Sequence, residues 1–168
     1  VTAHFQNNDS VILLIGERKN ELGGSVYYSL KNELGANVPK PNFEEVKSQI
    51  FALTDCIDGG LVLSCHDIAD GGVASALAEM TFTNSIGCNV NIESNLSPDK
   101  ILFSETGGFI LEVLPKNINT IKSVFSNYGL DAFEIGSTGG ESIQINGFMD
   151  IYVSETKKAW TNGLREKL

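Results

Sequence analysis

The sequence predicts an α+β domain in which helices pack on a mixed or mostly antiparallel β-sheet. Val11–Ile15 is a wholly apolar run that ends at Gly16, which is typical of a central strand buried on both faces. Apolar residues across positions 43–57 recur at spacings of three and four and indicate an amphipathic helix. The predicted strands and helices follow one another without regular alternation, and this order favours the α+β class.

The composition limits the classes of function to consider. With 168 residues and 42% hydrophobic content, the chain is expected to form one domain that needs neither disulfides nor metals to fold. The net charge of -9 repels nucleic-acid phosphates, so no nucleic-acid partner is expected. No stretch approaches the roughly 18 apolar residues that span a membrane, so no membrane partner is expected. Three cysteines match no common zinc spacing and predict a reduced, cytoplasmic protein.

Two helices and a strand are predicted between residues 26 and 65. Residues 26–34 form a short helix with an apolar stripe of Tyr27, Leu30 and Leu34. The longer helix presents a stripe of Phe43, Val46, Ile50, Leu53 and Ile57. Residues 61–65 form a short apolar strand, and residues 73–80 return to a helical period. The run between them therefore connects a strand to a helix.

The second half of the chain adds strands and helices in mixed order. Residues 88–92 alternate between apolar and polar and predict a half-exposed strand. Ser97 and Pro98 open a short helical turn. Residues 107–114 form another strand, and residues 118–128 form a third long helix.

A hairpin and a last helix complete the prediction. Residues 132–136 and 142–145 flank a glycine-rich loop and predict two paired strands. Trp160, Leu164 and Leu168 give a terminal helix its apolar stripe.

The run from His66 to Gly72 is the densest in residues that carry chemistry. A loop between a strand and a helix exposes backbone amides that attract phosphate oxygens. Gly71 and Gly72 allow a ligand or a second backbone to come close. Asp67 is placed to offer a hard oxygen ligand to Mg²⁺, which binds one or two carboxylates together with substrate phosphates.

Structural roles explain the same residues, and both interpretations stay open at this stage. Asp70 is a candidate helix cap, the two glycines suit a turn, and Asp67 is able to accept hydrogen bonds from loop amides. His66 is either a packed, hydrogen-bonded residue or an acid–base group. Glu105, just before a strand, either faces a ligand or metal or lies in a polar turn.

Other glycine-rich segments and known catalytic motifs add no further site. Residues 136–140 suit an anion nest or a hairpin loop, and residues 23–25 suit anion binding at a helix start or helix capping. Neither a Walker sequence nor a Gly-x-Ser-x-Gly elbow is present. The chain therefore contains no complete catalytic set, and no residue is assigned as catalytic.

Four segments, which occur in the same order along the chain, resemble one enzyme family. Residues 64–80 read Ser-Cys-His-Asp-Ile-Ala-Asp-Gly-Gly-Val-Ala-Ser-Ala-Leu-Ala-Glu-Met. This run is similar to the His-Asp-x-Ser-Asp-Gly-Gly-Leu-x-x-x-Leu-Ala-Glu-Met signature of phosphoribosylformylglycinamidine synthases. Residues 13–28 resemble the family's Gly-Glu and Leu-Gly-Gly-Ser passage, and residues 102–105 resemble its Phe-Ser-Glu run. Residues 159–164 resemble the closing helix of the smaller, stand-alone form.

The resemblance implies a fold and a reaction for the intact protein. Family members contain two tandem pairs of domains, and the chain corresponds to the last domain, a three-layer α/β/α unit like the C-terminal domain of aminoimidazole ribonucleotide synthetase. With ATP and Mg²⁺, the intact enzyme activates formylglycinamide ribonucleotide, and ammonia from glutamine displaces phosphate to give the amidine. The implied partners are the N-terminal domains of the same chain, a glutaminase subunit or domain, and formylglycinamide ribonucleotide.

The resemblance assigns roles to few residues. Asp67 matches the Mg²⁺ ligand of a structural nucleotide site, which would also include Ala69, Asp70, Gly71 and Gly72. Ala69 stands where the family has serine, so one hydroxyl contact to the nucleotide is lost. The substrate-binding copy of the later run reads Glu-Ser-Gln, whereas this chain has Glu-Thr-Gly at 105–107. Substrate binding is therefore not assigned there.

Two alternatives to this identification are kept. The first is another enzyme of the superfamily, such as selenophosphate synthetase, thiamine monophosphate kinase or the hydrogenase maturation factor. The second is a non-catalytic module that binds the glutaminase or another subunit. The chain begins at Val1 without methionine, so we expect it to be part of a longer protein whose fragment is inactive alone.

Overall fold

A computed structural model of the chain describes residues 1–163. Its strands are β1 (Val11–Ile15), β2 (Val62–Asp67), β3 (Cys88–Val90), β4 (Phe109–Val113), β5 (Ala132–Thr138), β6 (Ser142–Ile145) and β7 (Met149–Tyr152). Its α-helices are α1 (Val26–Leu30), α2 (Phe43–Asp58), α3 (Gly72–Thr81), α4 (Pro98–Phe103), α5 (Ile118–Asn127) and α6 (Val153–Asn162). Within these residues no helix is long and apolar enough to cross a membrane.

The seven strands form one sheet in the order β2-β4-β1-β5-β3-β6-β7. Neighbouring strands are antiparallel except for the parallel pair of β3 and β6. The predicted mixed, mostly antiparallel sheet is confirmed. The prediction that Val11–Ile15 is a central, doubly buried strand is also correct, since β1 lies between β4 and β5.

The predicted hairpin of residues 132–136 and 142–145 is wrong, because β3 lies between these two strands. Cys88–Val90 pairs antiparallel with the last residues of β5 and parallel with β6. A Cβ at Gly136 would lie 2.1 Å from the carbonyl oxygen of Asn89, so glycine permits this close pairing. Strand β7, which pairs with β6, was not predicted.

Two separate hydrophobic cores lie on opposite faces of the sheet. On β1, Ile12 and Leu14 point into the core that α3, α4 and α6 cover. Leu13 and Ile15 point into the core that α2 and α5 cover. Because side chains alternate along a strand, one apolar strand serves both cores. The three-layer α/β/α arrangement is therefore confirmed.

Apolar residues of the stripes predicted for α1 and α6 are more exposed than expected. Helix α1 ends at Leu30, and the chain folds back so that the Gly24 amide donates to the Leu34 carbonyl. The side chains of Leu30 and Leu34 are 83% and 78% exposed. In α6, Trp160 is 64% exposed. The remaining residues of that stripe, Leu164 and Leu168, lie outside the described residues.

Helix α2 begins at the predicted residue, but only the second half of its predicted stripe, Leu53 and Ile57, packs in the core. Phe43, Val46 and Ile50 are exposed, although the spacing predicted them to be buried. The buried face consists of Gln49, Ala52, Leu53 and Cys56. Periodicity detects an apolar face but does not say what covers it.

A fully buried carboxylate ties the N-terminal segment to the sheet. Glu112, on β4, accepts hydrogen bonds from the amides of Gln6 at 2.8 Å and Asn7 at 2.9 Å. It also accepts one from the Ser64 hydroxyl at 2.8 Å. Three donors compensate for burying the charge, and they bring Phe5 into the core.

We expect Glu112→Ala to lower the free energy of unfolding by about 3 kcal/mol, because two partly buried amides and a buried hydroxyl lose their acceptor. Urea unfolding followed by circular dichroism would measure this loss. Glu93→Ala, which removes an exposed carboxylate, is the control and should change stability by less than about 0.5 kcal/mol. Equal losses in the two variants would contradict the role given to Glu112.

Candidate functional site

The predicted site lies where β2 passes into α3. Strand β2 extends through His66 and Asp67, two residues further than predicted. The amide of Ile68 donates to the Gly108 carbonyl at 2.9 Å, and its side chain is buried. Ile68 therefore anchors the turn to the start of β4. The side chains of Asp67, Ala69 and Asp70 are exposed to solvent.

Both glycines of the turn are required by the backbone. Gly71 and Gly72 have φ values of 78° and 66°, in the left-handed region that favours glycine. A Cβ at Gly72 would lie 2.7 Å from the carbonyl oxygen of Leu102 and 2.9 Å from Cα of Phe103. Gly72 is thus the place where a second backbone, the end of α4, comes close. This contact matches one of the two roles that the sequence allowed.

Glu105 connects this turn to the start of α1. Its Oε1 accepts a hydrogen bond from the Gly71 amide at 2.9 Å and another from the Val26 amide at 2.8 Å. Glu105 was a candidate from the sequence, but its hydrogen bonds to these two segments were not predicted. No spacing along the chain indicates these contacts, because the three segments are distant in sequence.

His66 is not positioned as a free acid–base group, and Asp70 is not positioned as a helix cap. The His66 Nε2 lies 3.1 Å from Glu79 Oε2, and its Nδ1 lies 2.7 Å from the Asp67 carbonyl oxygen. This geometry fits the packed, hydrogen-bonded interpretation of His66. Asp70 does not cap α3, because the N-cap residue is Gly71 and no side chain caps it. The capping hypothesis for Asp70 is therefore wrong.

A buried arginine, which the sequence analysis missed, holds the loop around Glu105. The Arg18 guanidinium donates to the carbonyl oxygens of Thr106 and Gly107, the latter at 2.7 Å. Burial lowers the pKa of Arg18 to about 10, and the nearby charge of Glu21 opposes that shift. Thr106 in turn donates to Glu21 Oε2 at 2.8 Å. An isolated arginine after a strand has no pattern that would have revealed this role.

The other glycine-rich candidates have ordinary structural roles. Ser25 caps α1 by accepting a hydrogen bond from the Tyr28 amide at 3.2 Å, as predicted. The Gly139 amide donates to the Gly87 carbonyl at 2.8 Å. A donor engaged in this way does not contribute to an anion nest, so the loop interpretation of residues 136–140 is favoured.

Asp67 suits Mg²⁺ only together with ligands from outside the turn. Among residues 1–163, no group of three or more His, Cys, Asp or Glu side chains could hold a metal ion. Mg²⁺ usually keeps one or two carboxylates and takes its other ligands from water and phosphate. The side chain of Asp67, which is 68% exposed, fits that requirement.

The larger clefts of the domain lie away from the turn. Clefts of about 630 and 520 Å³ meet at Phe133 and Glu17. A smaller cleft of about 250 Å³ includes Glu105. The turn itself lies on the outer surface, so a ligand there would need a second surface to enclose it.

Comparison with known proteins identifies the family. Residues 7–146 match the family described as AIR synthase related protein, C-terminal domain. The chain belongs to this family. It also matches the C-terminal region of phosphoribosylformylglycinamidine synthase subunit PurL, which confirms the resemblance found in the sequence.

A relative and three solved structures show the extent of the likeness. The chain is 34% identical to PurL of Methanothrix thermoacetophila, over all of this chain and 23% of the relative. It superposes on Thermotoga maritima PurL complexed with FGAR at a TM-score of 0.80 and 18% identity, over 94% of this chain and 29% of that one.

Two further Thermotoga maritima structures have the same fold. PurL complexed with ATP matches at a TM-score of 0.71 and 20% identity, over 94% of this chain and 27% of that one. PurLQS matches at a TM-score of 0.74 and 19% identity, over 93% of this chain and 27% of that one. Both support the AIR synthase C-terminal fold. This chain spans about a quarter of the length of its relatives.

We expect Gly72→Ala to destabilise the domain by about 2 kcal/mol more than Gly60→Ala. Gly60 has the same φ of 66° but no atom within 4 Å of an added Cβ, so both variants carry the same backbone strain. Only Gly72→Ala adds a clash with α4. Thermal and urea unfolding of the two variants would measure the difference, and equal stabilities would show that the close backbone approach is unimportant.

Proposed function

We propose that the chain is the C-terminal domain of a cytoplasmic phosphoribosylformylglycinamidine synthase, the ligase that makes formylglycinamidine ribonucleotide. The intact enzyme would use ATP, formylglycinamide ribonucleotide and ammonia from glutamine. The observation that carries this proposal is the 34% identity to PurL over the whole chain. The signature at residues 64–80 lies within the matched part.

The domain would contribute structure and one side of a nucleotide site to that enzyme. Asp67, Ala69 and Asp70 present exposed side chains on one turn, and Gly71 and Gly72 shape its backbone. Mg²⁺, when bound, would join the Asp67 carboxylate to nucleotide phosphates. Ala69 offers no hydroxyl, so the nucleotide would be held by fewer polar contacts than the family signature allows.

An exposed apolar surface supports the proposal that further domains of the same protein cover this one. Large apolar side chains that water reaches are concentrated in one segment: Val26, Leu30, Leu34, Val38, Phe43, Val46, Ile50 and Phe51. Exposed apolar side chains that cluster on a surface mark interaction sites, and Phe43, Val46 and Ile50 share one face of α2. We propose the N-terminal domains as its occupant, because the relatives are about four times as long as this chain.

Two further parts of the proposal concern the glutaminase and the compartment. PurL of Thermotoga maritima occurs in the assembly PurLQS, and a glutaminase partner is proposed for the intact protein by analogy. All three cysteines are free thiols, as a reducing cytoplasm would require. Burial raises the pKa of Cys65 and Cys88 to about 12, which keeps these thiols protonated and unreactive at neutral pH.

We expect the 168-residue chain alone to form no formylglycinamidine ribonucleotide from its substrate, ATP and ammonia, because no catalytic set is assigned to it. Chromatographic detection of the product, with phosphate release measured in parallel, would test this. The intact synthetase is the positive control. Measurable turnover by the chain alone would refute the division of labour between the domains.

In the intact synthetase, we expect Asp67→Ala to weaken Mg-ADP binding at this site by about tenfold, or ~1.4 kcal/mol. Ala69→Ser should strengthen Mg-ADP binding, because it restores a hydroxyl at the exposed turn. Isothermal titration calorimetry would measure the Mg-ADP affinity of both variants. Asp58→Ala, which removes an exposed carboxylate at the end of α2, is the matched control. Unchanged binding in Asp67→Ala would remove Asp67 from its role.

A further inference from the structure

A single carboxylate oxygen of Glu105 accepts two backbone hydrogen bonds from separate parts of the chain. The Val26 amide, at the start of α1, is 2.8 Å from Oε1, and the Gly71 amide, just before α3, is 2.9 Å from the same atom. Two amides converging on one oxygen are the arrangement by which protein backbones bind small oxyanions. Here the oxyanion is supplied by the protein.

The position of Glu105 is determined by the loop around it. Arg18, which is only 8% exposed, donates to the carbonyl oxygens of the next two residues, Thr106 and Gly107. The Thr106 hydroxyl donates to Glu21 and lies 2.9 Å from the Ser104 hydroxyl. These contacts fix the backbone on both sides of Glu105. The carboxylate is therefore delivered to the two amides by a rigid support.

We propose that Glu105 occupies an oxyanion site formed by the Val26 and Gly71 amides, and that phosphate or sulfate can bind there when the carboxylate is removed. Glu105 would thereby order the 67–72 turn from inside without any ligand. The role is independent of whether the turn binds a nucleotide. It also implies that the Gly71 amide is not available to a nucleotide phosphate.

Solvent reaches the Glu105 carboxylate, because its hydrogen bond from the Val26 amide is exposed. Glu105 lines the cleft of about 250 Å³, together with the cationic side chains of Lys19 and Lys40. The same cleft contains the carboxylates of Glu21 and Glu45. With Glu105 present, three carboxylates face two lysines; without it, the charges balance. Removal of Glu105 thus makes the cleft less repulsive to an incoming anion.

The test is the sulfate dependence of the melting temperature of the 168-residue chain with Glu105→Ala. Sulfate stabilises most proteins by exclusion from their surface, so the parent and Glu141→Ala measure that general effect. Glu141 is an exposed carboxylate in the loop between β5 and β6, and its removal changes the net charge equally. We expect Glu105→Ala to melt lower than both without sulfate and to gain more from each addition.

Glu105→Gln provides the second measurement, because it retains an acceptor oxygen but loses the charge. We expect its Val26 and Gly71 amides to exchange with solvent at least about tenfold faster than in the parent, since hydrogen bonds to charged groups are the stronger ones. The Gly129 amide, which donates to Ser126 at 3.0 Å, should be unchanged.

Either of two results would overturn the proposal. The first is a sulfate response of Glu105→Ala that parallels those of the parent and Glu141→Ala. The second is unchanged exchange of both amides in Glu105→Gln, which also decides the matter if the alanine variant is unfolded at every sulfate concentration. Mg-ADP is absent from these measurements, so failure of nucleotide binding would not affect them.

Discussion

The structure depends on the burial of both faces of strand β1. Its apolar side chains point alternately to the two faces of the sheet. They are buried from water only if a helical layer covers each face. Helices α2 and α5 cover one face, and α3, α4 and α6 cover the other. The position of α3 on its face then determines where the polar turn before it emerges. Because Gly72 lies against the backbone of α4, the turn is fixed relative to the core and not merely to its own helix.

This arrangement explains why the candidate site is ordered and yet open. The turn is held by the buried side chain of Ile68, by the close packing of Gly72 and by the hydrogen bond from the Gly71 amide to Glu105. On the outer side, Asp67 and Asp70 present their carboxylates to solvent. Among the described residues, no group of three His, Cys, Asp or Glu side chains could hold a metal ion. A preformed surface of this kind suits a site that is completed by another domain.

The exposed apolar residues of the 26–51 segment lead to the same conclusion from a different observation. Helix α2 was correctly predicted from its periodicity, but Phe43, Val46 and Ile50 face solvent. A period of three and four reports which residues share a face of a helix. It carries no information about whether that face meets the core of the same domain or the surface of another. The two clusters already cover the sheet, and these side chains of α2 belong to neither of them.

Hydrophobic periodicity and short motifs were sufficient to predict those elements that depend on neighbouring residues in the sequence. The sequence by itself determined the central strand, the three long helices, the strand–turn–helix context of residues 64–80 and, through those residues, the family. It failed where the answer lay in contacts between distant segments. Strand β3 lies between β5 and β6 because residues 88–90 can pair with both, and neither turn chemistry nor alternation specifies that choice. The link from Arg18 through the loop to Glu105, Val26 and Gly71 was decided only by tertiary structure, since hydrogen bonds between remote residues leave no period in the sequence.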